Sequence, residues 1–148
     1  MIETEVALRP ATTADAPRIA ALFTEEGYPA GASSVAARLA RFEGPDSEVI
    51  VADHGGEILG FIALHVLPRF EHDDTFVRIV ALVVDSAVRE RGIGRVLMAE
   101  AERIGREREA AFVEITAGHH RPAARHLYDS LGYDPSLTAY LRKRLPAR

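Results

Sequence analysis

Between Phe76 and Thr116 the chain passes from an apolar β-rich stretch through a glycine turn into a helical pattern and on to a second apolar stretch, and this order leaves few folds open. Phe76 to Val84 reads as a strand, and its later part, Ile79 to Val84, is apolar at every position, as expected of a central strand covered on both faces. Val84 to Met98 follows as VDSAVRERGIGRVLM. Gly94 opens a helix running to about Arg108, with Val96, Leu97, Ala101 and Ile104 along one side, and Ala111 to Thr116 is the next strand. Strand, helix and strand at this spacing make a right-handed crossover, so the two strands are expected to be parallel.

A glycine turn at the start of a helix is also a place where anions bind. Gly92 and Gly94 let the main chain approach a ligand with no Cβ in the way, and the first helical amides point outward at the positive end of the dipole. Arg89, Arg91 and Arg95 add guanidinium charge around that spot. Spacing removes two common nucleotide loops. A P-loop has four residues between its glycines and then Lys-Ser or Lys-Thr, whereas a single residue separates Gly92 from Gly94. A dinucleotide fingerprint has a third glycine or alanine three positions after Gly94, where Leu97 stands.

The remaining chain fills in a sheet. Glu5 to Leu8 is a short strand, Thr13 caps a helix through Ile19, Leu22 and Phe23, and Ser33 or Ser34 caps a second helix carrying Val35, Leu39 and Phe42. Glu48 to Ala52 and Ile58 to Val66 flank His54-Gly55-Gly56 as an antiparallel hairpin. Pro122 begins a helix that continues through Leu127 and Leu131 to Gly132, and Leu137 to Leu145 is expected as a final strand of unspecified register. With 148 residues, 47% of them hydrophobic, a single domain over residues 1–148 is expected.

Composition narrows the chemistry. The chain has no cysteine, which excludes a disulfide, a thiolate metal site and a cysteinyl acyl-enzyme. A formal charge of -4 argues against nucleic acid as a partner. The N-terminal residues have no basic region followed by an apolar stretch, and no run reaches the roughly 20 apolar residues that span a bilayer, so a cytoplasmic protein is expected, with no membrane partner. No metal site is expected either: His119 and His120 are adjacent, and no acidic ligand has the usual spacing to them or to His126.

Arg89-x-x-Gly92-x-Gly94 resembles the pyrophosphate-binding motif of the GCN5-related N-acetyltransferases (GNAT). A second segment, Ala124-x-x-Leu127-Tyr128-x-x-x-Gly132-Tyr133, is similar to a downstream signature of the same family, and Leu8 to Ala16 is weakly similar to its N-termini. The resemblance spans about residues 5 to 145. It implies an α/β fold, in which a central mixed, mostly antiparallel sheet with a parallel middle pair is flanked by about four helices. Two positions depart from the pattern: Arg121 stands where many members have Asn, and Glu90 where Gly is frequent.

The resemblance further implies acetyl transfer from acetyl-CoA directly to a primary amine of a small molecule or peptide. Backbone amides of Arg89, Glu90, Arg91, Gly92, Ile93, Gly94 and Arg95 would hold the diphosphate. Main-chain groups of Leu82, Val83 and Val84 would line the pantetheine arm, beside a strand bulge that frees an amide for the thioester oxygen. Tyr128 would act as general acid to the departing thiolate, since a phenol of ordinary pKa about 10 is protonated at neutral pH. Glu114, a carboxylate in an otherwise apolar strand, is either a proton relay from the ammonium or the ion-pair partner of Arg78; His72 and His119 are reserves. Glu71 to Asp74 and Glu25 to Ser33 would flank the acceptor, where acidic residues would favour a cationic amine and Tyr28 would offer an apolar wall. Homodimers are common in the family. The alternative is a non-catalytic acyl-CoA-binding sensor or regulatory module of the same fold, which would have no need of Tyr128.

Overall fold

The structure, a computed structural model, describes residues 5–116 and 122–147. The chain divides into two compact units, Met1–Ile115 and Thr116–Arg148. The first contains β1 (Ala7–Pro10), α1 (Ala16–Glu25), α2 (Ala32–Ala40), β2 (Ser47–His54), β3 (Glu57–Pro68), β4 (Thr75–Val84), α3 (Ile93–Glu107) and β5 (Val113–Ile115), with single 3₁₀ turns at Thr13–Asp15 and Ser86–Val88. The second contains α4 (Pro122–Ser130).

The five strands lie in the order β1-β2-β3-β4-β5, antiparallel from β1 to β4, and β4 and β5 are parallel. The parallel pair follows from the α3 crossover, as its spacing implies. In the β2–β3 turn, Gly55 and Gly56 both take positive φ, 60° and 94°, the requirement of a two-residue hairpin turn whose twist matches its strands. Capping differs from expectation by a residue or two. Thr12 forms a capping box with Asp15 that opens the 3₁₀ turn, and Asp15, two residues later than expected, is the N-cap of α1; α2 starts at Ala32 after an extended Gly31, leaving both serines inside its first turn.

The sheet is covered on both faces. On one side Ile19, Leu22 and Val35 of α1 and α2 join Val51, Phe61 and Val83 of the sheet in one buried cluster. On the other, α3 buries Ile93, Leu97, Met98, Ala101 and Ile104. Gly60 on β3 lets the start of α3 close down on the sheet: a Cβ there would meet the Val83 carbonyl oxygen at 2.8 Å and the Ile93 and Leu97 side chains at 3.3 Å. Each fully buried aliphatic side chain contributes about 1.5–3 kcal/mol, so the helix carrying the glycine turn is fastened to the sheet by its first two turns.

The strand expected over Leu137 to Leu145 is not formed: residues 138–147 carry no regular element, and Leu137, Leu141 and Leu145 are exposed. In LTAYLRKRL, Leu137, Ala139, Leu141 and Leu145 would share one face of a strand, yet no described strand pairs with them and they stay exposed.

Candidate functional site

The site begins at a defect in β4. Ala63 pairs with Ala81 and Leu64 with Ile79, so Val80 is an extra residue, and it is 49% exposed although it lies inside an apolar run. This bulge reverses the sense of everything after it. Before it, the Val77 amide donates towards β5, to the Phe112 carbonyl at 2.9 Å. Residues alternate along a strand, so Val77, Ile79 and an unbulged Ala81 would all face β5. Instead the Asp85 amide donates to Leu59 at 2.8 Å, on the β3 side, which directs Ala81 and Val83 to β3 as well. The amides and carbonyls of Leu82 and Val84 therefore point away from β3.

Among the described residues, pairing between β4 and β5 covers Val77 to Ile79, and no described strand pairs with Leu82 or Val84 on that side. The bulge also exchanges faces: Val77 lies towards Gly105 of α3, whereas Val83 joins the α1–α2 cluster.

This side of β4 leads into the glycine turn. Gly92 caps α3 at φ 89° and ψ 0°, a left-handed conformation that a side chain rarely adopts. The first bond inside α3 runs from the Val96 amide to the Gly92 carbonyl, 3.0 Å. The amides of Ile93, Gly94 and Arg95 thus stand at the first turn without an intrahelical acceptor. Glu90 is also left-handed, at φ 66°. Of the three arginines, Arg89 donates to a carboxylate oxygen of Glu26 at the end of α1.

Arg18, which the sequence alone did not single out, and Glu25, expected beside the acceptor, secure this turn. The Ser86 amide donates to Glu25 at 2.8 Å, and Arg18 on α1 donates to Asp85 at 2.5 Å and to the Ile58 carbonyl at 2.9 Å. The Ala87 amide, with Arg18 beside it, holds the Asp85 carboxyl below the usual range, so the anchor stays ionised through mildly acid pH. These partners lie 61 to 67 residues from the turn in sequence, and no local pattern could have announced them.

Other expected residues are placed as follows. Glu114 accepts from Arg78 at 2.9 Å across the parallel pair, the ion pair that was one of its two readings. Asp74 is not a free acid of the acceptor side, because Arg69 grips both of its oxygens, at 2.7 and 2.5 Å, and holds its carboxyl below the usual range. Tyr28 is half exposed. In the second unit Tyr128 is the buried residue of α4, its ring edge-on to Tyr133 with centroids 6.3 Å apart. His119, His120 and Arg121 lie outside the described residues, among which no acidic, histidine or cysteine cluster is arranged to hold a metal, and no helix is long and apolar enough to cross a membrane.

The family model of the GNAT acetyltransferases matches residues 15–133, from the start of α1 through Tyr133. The chain belongs to this family. It is 32% identical over 136 residues to the N-acetyltransferase YhfO of Bacillus subtilis, covering 86% of this chain and 89% of that protein. It is likewise 32% identical over 134 residues to the aminoalkylphosphonate N-acetyltransferase of Salmonella typhimurium, covering 87% and 85%. A GNAT family acetyltransferase from Staphylococcus aureus has the same fold, with a TM-score of 0.80 over 95% of this chain and 99% of that one at 21% identity.

Membership gives Glu90 a physical meaning. Glycine is the residue that the family resemblance would place here, and Glu90 instead holds φ at 66°, a left-handed conformation that a glycine adopts freely. A side chain held there costs about 1–2 kcal/mol, and this one adds a negative charge beside a candidate anion site. Glu90→Gly is expected to tighten acetyl-CoA binding about five- to tenfold in calorimetric titration. A weakened complex would show that the carboxylate assists binding.

Proposed function

We propose that this GNAT protein transfers an acetyl group from acetyl-CoA directly to a primary amine of a small molecule or peptide. The observation that carries the reading is the continuity of two features: the ladder of Leu82 and Val84, turned away from β3 by the bulge at Val80, runs into the glycine turn and the first-turn amides of α3. An extended arm with amide groups fits the first as an added strand would, and a diphosphate fits the second. Acetyl-CoA supplies the thioester carbon that an amine can attack and the sulfur that departs.

The chain's own residues divide the remaining work. Leu82 and Val84 align the arm through main-chain bonds, with Val83 buried beneath them. The backbone from Arg89 to Arg95 holds the diphosphate, and Arg89 exchanges Glu26 for it. The bulge directs an amide at the thioester oxygen, a class of contact whose removal costs about 2.7–4 kcal/mol of transition-state stabilisation. Tyr128 gives its proton to the departing sulfur. Glu114, fixed by Arg78, takes a proton from the ammonium through water. Similarity to the aminoalkylphosphonate N-acetyltransferase supports an amine acceptor.

Calorimetric titration with acetyl-CoA, followed by thiol release across polyamines, aminoglycosides, amino acids and peptide N-termini, tests the reading. Micromolar binding with release for at least one class is expected. Binding with no release from any class would favour the sensor module, and no binding would end both readings. Glu114→Gln is expected to lower kcat/KM about tenfold or more at neutral pH, with the loss disappearing at high pH where the amine is already neutral. An equal loss at every pH, together with a lower Tm, would leave Glu114 only the task of holding Arg78.

A further inference from the structure

The face of the sheet opposite α3 contains a cavity of about 180 Å³ between α1, α2 and the strands. Its walls include Val35 and Phe61, both almost fully buried, and it reaches the bulge itself through Val80 and Ala81. Engineered apolar cavities of about 150 Å³ hold a benzene ring, so the space suits a ring or a short branched chain. It also lies beside the point where the proposed reading presents the acetyl group.

Two guanidiniums stand at its edge, Arg38 and Arg41. They are three residues apart at the end of α2, hence on one face. Neither has an ion-pair partner among the described residues, whereas Arg18, Arg69, Arg78 and Arg89 are all paired. Arg38 is steadied against the Phe23 ring, 5.8 Å from its centroid, and Phe23 in turn packs edge-on against Phe61. No carboxylate lines the cavity among the described residues. In a chain with a formal charge of -4 this is a local concentration of positive charge, not general basicity. A second, wider depression of about 580 Å³ offers no such contrast, because its Asp15 and Arg18 are already bound to Arg9 and Asp85.

We propose that the acceptor is an amine that also carries an anionic group, a carboxylate or phosphonate, with its apolar body in the cavity beside Val80 and its anion on Arg38 and Arg41. The proposal rests on the acetyl-transfer reading and narrows it. A dication would meet two like charges there, whereas an acid finds two unpaired donors suited to bidentate bonding. Positive charge at the rim also favours the neutral form of a nearby amine, the form that attacks. It differs from the expectation of an acidic acceptor side, one residue of which, Asp74, is already held by Arg69.

Three amines sharing one ring test it: para-aminomethylbenzoate, its uncharged carboxamide and the dicationic para-xylylenediamine. With the full-length protein and acetyl-CoA, thiol release is expected to rank them in that order, with about tenfold or more in kcat/KM between the first two. Arg38→Gln and Arg41→Gln are each expected to raise KM for the benzoate about tenfold, while leaving the carboxamide and the acetyl-CoA Kd unchanged. Equal use of the three amines, or a better dication, would overturn the assignment and leave acetyl transfer standing. So would variants that lower Tm without changing the benzoate-to-carboxamide ratio, since both arginines could then merely complement the end of α2. Calorimetric binding of the benzoate, compared with the carboxamide, reads the same contacts without turnover. It decides the matter even if acetyl-CoA fails to bind, and equal or absent binding of the two counts against the two arginines.

Discussion

Tyr128→Phe is expected to lower kcat by about a hundredfold or more, the scale of a lost general acid, while the Kd for acetyl-CoA changes little. The substitution is well isolated. The ring that packs against Tyr133 and fills the buried position on α4 is retained, so only the hydroxyl is removed. A second signature separates acid catalysis from a packing effect. The wild-type rate should decline on the alkaline side as the phenol, of ordinary pKa about 10, loses its proton, and the Phe variant should lack that limb. An unchanged turnover across the pH range would remove Tyr128 from the chemistry and leave the thiolate to depart unassisted. A lower Tm with unaltered kcat would make the hydroxyl a structural group of α4.

Gly92→Val is expected to weaken acetyl-CoA about a hundredfold in calorimetric titration. Gly92 stands at φ 89°, and a branched side chain held in such a region costs about 1–3 kcal/mol; at the upper end that is about two powers of ten in affinity. The loss arises because the binding-competent turn becomes a minor conformer, and apparent affinity falls with its population. Gly92→Ala should show a smaller loss in the same direction. Unchanged affinity in the valine variant would move the diphosphate away from the first turn of α3.

The elements with strong local signals were legible in the sequence. The glycines of the turn, one residue apart, the apolar stripe of α3 and the Gly55-Gly56 turn report requirements that few residue types meet, and each stands where expected. The parallel β4–β5 pair followed from crossover length alone. The bulge could be anticipated only through family resemblance, because Val80 is one valine in an unbroken apolar run. Its position depends on pairing with β3, a tertiary fact. Arg18 is similarly silent, and Glu25 and Glu26, expected beside the acceptor, gave no sign of this role: only the fold brings the three to the turn at Ser86 to Arg89. Arg38 and Arg41 gave no sign either, since only the fold shows which arginines lack an ion-pair partner among the described residues. The expected last strand failed for another reason: alternation over Leu137 to Leu145 satisfies a strand's local pattern, but pairing needs a partner, and none is described for it.

The end of the described β4–β5 pairing at Ile79 has a thermodynamic consequence. A sheet whose described strands leave Leu82 and Val84 unmatched on one side forgoes ladder bonds there, and an unprotected strand edge is also a template for another chain. The molecule that completes this ladder therefore acts as a missing piece of the fold as well as a reactant. By mass action, a ligand held only by the folded chain at a hundred times its Kd adds about 2.7 kcal/mol to stability. The protein's resistance to heat and self-association should then track the local supply of the activated acyl donor.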